Sequence, residues 1–394
     1  MDNRTIKQSE PSGPIALRVS VTDQCRSRCL YCTPAGGTPR FAAKDLLRDE
    51  EIVRFVRVMK ARFGLTKIRL TGGEPLDRPG IVRLAGMIAD EGVGDLALTT
   101  NGRRLHEFAA DLKQAGLRRV NISLNSLDPA TFRAIAGGGE PAEALRGIDA
   151  ALLAGLAPVK INVTVLRGMN DDEIANIARF GIALGAVVRF IELMPIGPAA
   201  DRHRELFVPS DEVLRRLKAH FDLRPLPYCP GSSSRDYQVA GDAGILPACA
   251  EDVPPSSSQF LAVSSLERQQ QEQRQQKDAG GTPATHEGKM PSPHEGRMPS
   301  PHEGGTPATH TGVIGLISPC TQPFCLGCNR LRLKANGDLV GCLATGSSRN
   351  ILPLLRADGP ADDEQIRQSV LWAMGHKRGR DGFTGQGCMV TMGG

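Results

Sequence analysis

Between Ile15 and Phe221, six short β-rich runs alternate with amphipathic stretches, and this alternation restricts the fold more than any other feature of the 394-residue sequence. The runs read ALRVSVT, KIRLTGG, LALTTNG, RVNISLN, VKINVTV and VVRFIELM. Between them lie helical patterns such as DEEIVRFVRVMKARF, LHEFAADLKQAG and DDEIANIARFGIAL, which begin with acidic residues or follow Gly or Asn, as helix ends do. Repeated βα units predict an α/β chain with a parallel sheet, a barrel or partial barrel of six units. Such folds place their sites at the C-terminal strand ends. Here DQC, GGEP, TNG, NSLD and MPIG follow the strands.

The pattern breaks from about residue 242 to 311. A Gln-rich run, ERQQQEQRQQ, precedes the units TPATHEGK, MPSPHEGR, MPSPHEGG and a shorter TPATHTG. Segments so rich in Pro, Gly, Ser and His bury no core, and eight-residue units are too short for a solenoid, so a disordered insertion is expected. Its histidines His286, His294, His302 and His310 read more simply as a by-product of the repeat than as metal ligands. Order is expected to return at GVIGLIS. LRLKANGDLVGCL then predicts a hairpin with a type I′ turn at Asn336-Gly337.

With 40% hydrophobic residues the chain can bury a large core. The polar start MDNRTIKQSEPSG lacks an apolar leader, and no run approaches the roughly 18 apolar residues of a membrane span, so a cytoplasmic protein without membrane contact is expected. A formal net charge of +5 argues against a general nucleic-acid coat and leaves room for an anionic small molecule. Ten cysteines, grouped rather than spread, suit metal binding in a reducing compartment.

Cys25, Cys29 and Cys32 form a CxxxCxxC loop after the first strand. Three soft thiolates can hold three irons of a 4Fe-4S cluster and leave the fourth free; a structural zinc would ask for a fourth protein ligand. Cys325 and Cys328, in FCLGCNRLRL, and Cys342 on the return strand make a second set, which taken alone could also be half a zinc ribbon. The basic residues Lys67 and Arg69 alternate along one strand, and Arg330, Arg332 and Lys334 along another, so each group projects from one face. Arg69 stands just before Gly72-Gly73, at the strand end where the site belongs. A cationic pocket follows, in which forked guanidinium groups hold phosphate oxygens at two points.

The cysteine loop with Tyr31 before its last cysteine, together with GGEP at Gly72 to Pro75, resembles the radical S-adenosylmethionine (SAM) enzymes. The combination of LRVSVTDQC, IRLTGGEPL, LTTNG, VKINVTVLRGMNDDEI, RFIELMPIG, FCLGCNRLRL and a terminal Gly-Gly is similar to the GTP 3′,8-cyclase family. That resemblance implies an incomplete (β/α)6 TIM-like barrel over residues 15–228 after a tail, 1–14. A connection carrying the insertion would span 229–312, and a C-terminal auxiliary-cluster segment 313–394. It implies SAM and two 4Fe-4S clusters, held by Cys25, Cys29 and Cys32 and by Cys325, Cys328 and Cys342. Tyr31, Gly73, Ser123 and Met194 match SAM-contacting positions. Arg18, Arg69, Thr99, Lys160 and the segment Arg330, Leu331, Arg332 match GTP-contacting ones, and Lys67 and Arg189 match basic residues of the same pocket. Gly393 and Gly394 match a flexible tail that enters the site.

The reaction implied is abstraction of the C3′ hydrogen of GTP by a 5′-deoxyadenosyl radical, followed by C3′ to C8 bond formation, giving 3′,8-cyclo-7,8-dihydro-GTP, the first step of molybdenum cofactor biosynthesis. The partners implied are a flavodoxin or ferredoxin as electron donor, a cyclic pyranopterin monophosphate synthase downstream, and a second copy of the chain in a homodimer. The sequence departs from the family pattern at Arg26-Ser27, Thr33 and Asn125, and Cys229, Cys249, Cys320 and Cys388 match no family ligand. A radical SAM peptide-modifying enzyme and a non-catalytic Fe-S or zinc nucleotide-binding protein are the rival readings. The first leaves the NRLRL segment without a purpose, and the second leaves GGEP unexplained.

Overall fold

The computed structural model describes residues 15–37, 40–229, 231–240, 312–357 and 359–377. The repeat units up to residue 311, Gly393, Gly394, Cys249 and Cys388 lie outside the described residues.

Each predicted run forms a strand: β1 (Ala16–Ser20), β2 (Lys67–Thr71), β3 (Asp95–Thr100), β4 (Arg119–Ser123), β5 (Val159–Val165) and β6 (Val187–Glu192). The helices between them are α1 (Asp49–Phe63), α2 (Ile81–Asp90), α3 (Leu105–Gln114), α4 (Pro129–Ala136), α5 (Pro141–Leu153) and α6 (Ile174–Ala183). Local chemistry sets their ends. The Glu51 carboxylate accepts the Arg48 backbone N–H at 2.8 Å to open α1, and Gly64 closes it in the left-handed region. Helix α6 starts three residues later than DDEIAN suggests. Asn170 and Asp171 are already engaged by the loop, accepting the backbone N–H groups of Leu166 and Gly168 at 2.7 Å each.

After α7 (Pro198–Leu206) and α8 (Ser210–Lys218) come β7 (Leu223–Pro225), β8 (Arg235–Val239), β9 (Val313–Ile317), β10 (Arg330–Leu333), β11 (Asp338–Val340) and β12 (Ser348–Asn350). A short helix α9 (Leu352–Arg356) and α10 (Pro360–Gly375) follow. All the strands join one sheet in the order β12-β11-β10-β1-β2-β3-β4-β5-β6-β9-β8-β7. Every pair from β10 to β9 is parallel, and the outer pairs are antiparallel. The strands after residue 312 therefore extend the barrel sheet at both sides, because β9 pairs with β6 and β10 with β1.

Leu17, Val19, Ile68, Leu70, Ile161 and Phe190, pointing away from the lumen, pack under the helices in one continuous core. Among the described residues no helix is long and apolar enough to cross a membrane. The β10–β11 hairpin differs from expectation. Gly337 N–H donates to the Lys334 carbonyl at 2.9 Å and Lys334 N–H to the Asp338 carbonyl at 2.8 Å. With Gly337 at φ +81° this is a three-residue connection ending in a bulge, a register fixed by Leu333 opposite Leu339.

Candidate active site

One cavity of about 330 Å³ is lined by both cysteine sets, the first set following the C-terminal end of β1 and the second lying beside its N-terminal end, where Ala16 N–H donates to the Asn329 carbonyl. The loop after β1 carries Cys25, Cys29 and Cys32, and two neighbours hold it. Arg28 and Leu30 donate their backbone N–H to the Ala136 and Ile135 carbonyls at the end of α4, at 2.9 and 3.0 Å. Gly73 and Glu74 donate theirs to Thr22 and Gln24, at 2.8 and 2.6 Å. A side chain at Gly73 would put its Cβ 2.1 Å from the Gln24 carbonyl oxygen, so only glycine lets the GGEP turn close on the cysteine loop.

Burial pushes the Cys25 thiol up to about 12, with Glu74 adding to it, and burial pushes Cys29 up to about 11. Glu74 is itself pushed up to about 7 by burial, against hydrogen bonds donated by Asn101 N–H (2.8 Å), the Thr100 hydroxyl (2.6 Å) and Leu76 N–H (3.1 Å). Tyr31 belongs to the same loop. Burial, then Cys29 and Cys32, raise its phenol, which accepts a hydrogen bond from Asn125 Nδ2 at 2.9 Å. Asn125 also accepts the Thr164 backbone N–H at 2.9 Å and so ties the cysteine loop to β5.

The second set sits across the cavity. Cys325 and Cys328 lie on a 3-10 turn before β10, and Cys342 follows β11. The loop is anchored by Glu192, a buried carboxylate at the end of β6. It accepts the backbone N–H groups of Cys320 (2.9 Å), Thr321 (3.1 Å) and Ser210 (2.9 Å) and the Thr321 hydroxyl. The Cys320 thiol faces the Leu193 carbonyl at 3.4 Å. Burial raises Cys328, but Lys377, Arg330 and Arg332 outweigh it and hold the thiol below its ordinary value.

The eight described cysteines are all free thiols. Among the described residues no three His, Cys, Asp or Glu converge closely enough to hold a single metal ion. Six partly buried thiols in two sets around one open space fit clusters, in which three irons take one thiolate each, better than compact tetrahedral ions.

Between the sets stands a row of cations. Arg332, Arg18 and Arg69 occupy matched positions on β10, β1 and β2, and all three line the cavity with Arg330 and Arg189. Burial, then the neighbouring arginines, lower Arg18; burial lowers Arg69 to about 9, with Arg119 and Arg189 next. Arg332 falls to about 10, mainly through burial. Buried Nε of Arg332 and Oδ1 of Asn162 make no hydrogen bond within the protein. A polar ligand would satisfy both.

Gly73, Tyr31, Ser123, Met194 and Thr99 also line this cavity. Three other sequence candidates stand off it. Lys67 is exposed at the start of β2, one step below Arg69. Lys160 is fully buried on β5, one step below Asn162, and Leu331 is in the core, on the face of β10 opposite to Arg330 and Arg332. Sequence reasoning missed Asn162 and Thr164, which the two-residue period from Lys160 would have found, and Glu192 and Lys377, whose partners are remote in sequence.

Comparison with known proteins gives family and fold. The model described as Radical SAM superfamily matches residues 19–181, and Molybdenum Cofactor Synthesis C matches residues 289–383. A GTP 3′,8-cyclase of Geobacter sulfurreducens is 49% identical over 58% of this chain and 71% of its own length. Those of Thermodesulfovibrio yellowstonii and Rhizobium meliloti are 36% and 35% identical, covering 90% and 97% of this chain and 89% and 90% of theirs. Among solved structures, Streptococcus suis SuiB bound to precursor peptide SuiA superposes with a TM-score of 0.51 at 12% identity, over 95% of this chain and 70% of that one. At that identity the likeness extends to the fold alone.

Proposed function

The chain belongs to the GTP 3′,8-cyclase family within the radical SAM superfamily, and from this premise we propose how its residues divide the work. The reaction converts GTP to 3′,8-cyclo-7,8-dihydro-GTP, the first step of molybdenum cofactor biosynthesis. Cys25, Cys29 and Cys32 would hold one 4Fe-4S cluster and Cys325, Cys328 and Cys342 the other. Together with SAM these groups supply, when bound, one-electron cleavage and hydrogen abstraction at C3′.

The observation that carries the reading is the row Arg332, Arg18, Arg69 in a cavity shared by both cysteine sets. The row takes the triphosphate, with Arg330 and Arg189 at its flanks, in two-point contacts that lysine cannot copy. Thr99 and Asn162 give uncharged polar contacts to the nucleoside. Lys160 and Lys67 add positive charge from below and Leu331 packs the floor on which Arg330 and Arg332 stand. Tyr31, Gly73, Ser123 and Met194 surround SAM, and walls on both sides keep water from the reacting carbon. Gly393 and Gly394 complete the site from the tail. Around this core we place a flavodoxin- or ferredoxin-like donor, a cyclic pyranopterin monophosphate synthase as consumer of the product, a homodimer and a cytoplasmic setting.

Binding of GTP against guanosine by the cluster-loaded protein tests the assignment. GTP binding at least 100-fold tighter supports it, and equal binding refutes it.

A further inference from the structure

Lys377, which follows α10, reaches back to the second cysteine loop. Its ammonium donates to the carbonyls of Cys328 at 2.6 Å and Arg330 at 2.8 Å, and Nζ lies 3.9 Å from Cys328 Sγ. From β10, Nη1 of Arg330 approaches the same sulfur to 4.0 Å, while its Nη2 donates to the Gly231 carbonyl at 2.8 Å. The guanidinium also stacks over the Phe324 ring, 5.0 Å from its centroid. Both cations are thus held in place by contacts other than the sulfur. The first cysteine loop meets a carboxylate instead: Glu74 N–H donates to the Gln24 carbonyl at 2.6 Å, next to Cys25, and Glu74 lines the cavity with that cysteine.

Resting on the reading of Cys325, Cys328 and Cys342 as ligands of a second cluster, we propose that Lys377 is a positioning and tuning residue. It supplies a fixed positive charge that raises the reduction potential of this cluster above that of the first. Reduction makes a cluster more negative, so a cation and N–H donors at a ligand sulfur favour the reduced state, whereas a buried carboxylate opposes it. Two clusters of one composition thereby become electronically distinct.

The test uses the full chain with both clusters reconstituted anaerobically, comparing wild type, Lys377→Gln and Lys377→Arg. Glutamine keeps N–H donors for the two carbonyls and loses the charge; arginine keeps the charge. Iron and sulfide are counted, and each cluster is titrated by EPR-monitored reduction, the first serving as internal reference. In Lys377→Gln the second cluster's reduction equilibrium should fall at least tenfold, about 59 mV for one electron, with the first unmoved and Lys377→Arg close to wild type. Loading of the second cluster in Lys377→Arg but not in Lys377→Gln supports the same role for charge. An unshifted second cluster in Lys377→Gln, or its loss from both variants alike, overturns the proposal. If wild type itself loads only one cluster, the iron count reveals it before any variant is compared, and the underlying cluster assignment fails instead.

Discussion

Arg18 and Arg332 stand opposite each other on the adjacent parallel strands β1 and β10, although most of the chain separates them in sequence. Like charges side by side are unfavourable, and a polyanion between them relieves the repulsion. Arg332→Ala is expected to raise the KM for GTP about 10- to 100-fold, the equivalent of a charge-assisted hydrogen bond worth about 1.5–3 kcal/mol. SAM cleavage without GTP should persist. Arg332→Lys should recover only part of the loss, because lysine lacks the fork. Steady-state kinetics of the two variants check this.

The two cysteine sets should be separable. Cys25→Ala is expected to lose about half of the iron and all SAM cleavage, since each cluster carries four irons. Cys342→Ala should lose a similar share of iron but keep SAM cleavage while GTP turnover collapses. Iron analysis with product assays distinguishes them, and full iron content in either variant would remove that cysteine from the ligand set.

Glu74 predicts a pH dependence in the metal-free protein. Its folded value of about 7 is raised above the ordinary 4.5, so the folded state binds the proton more tightly than the unfolded chain. The stability this contributes is complete below about pH 4.5 and is lost as pH rises through 7. The shift corresponds to about 3 kcal/mol. Glu74→Gln should remove that slope, so the stability difference between variant and wild type changes between pH 4.5 and 7 and levels off above. Urea denaturation across this range measures it; parallel pH curves would contradict it.

Residues 239 and 312, which flank the repeat segment in sequence, lie side by side. Val239 N–H donates to the Gly312 carbonyl at 2.9 Å, and β8 pairs antiparallel with β9. The segment's described flanks thus belong to one antiparallel pair, and between paired strands each doubling of loop length costs only about 0.6 kcal/mol. Replacing residues 242–310 by a short Gly-Asn turn should leave cluster loading and turnover within about twofold of the full chain. A loss of the second cluster on deletion would show that the segment contributes to the site.

The strands and the lumen face were legible because alternation is a local signal: Arg330 and Arg332 could be placed on one face of β10 before their neighbour was known. That β10 pairs with β1 and β9 with β6 was not, because parallel pairing between distant segments leaves no mark in either one. Motif residues such as Gly73 were visible, but the reason for Gly73, the Gln24 carbonyl lying against it, is tertiary. Glu192 looks like an ordinary strand-end carboxylate until the Cys320–Thr321 backbone arrives beside it.

The central claim is that one cavity couples SAM cleavage to GTP. The most direct measurement is 5′-deoxyadenosine release, with and without GTP, by the anaerobically reconstituted, reduced protein, followed by mass spectrometry together with the GTP-derived product. Release should rise at least tenfold with GTP and be matched by 3′,8-cyclo-7,8-dihydro-GTP. Release that is indifferent to GTP, with no nucleotide product, would contradict the account.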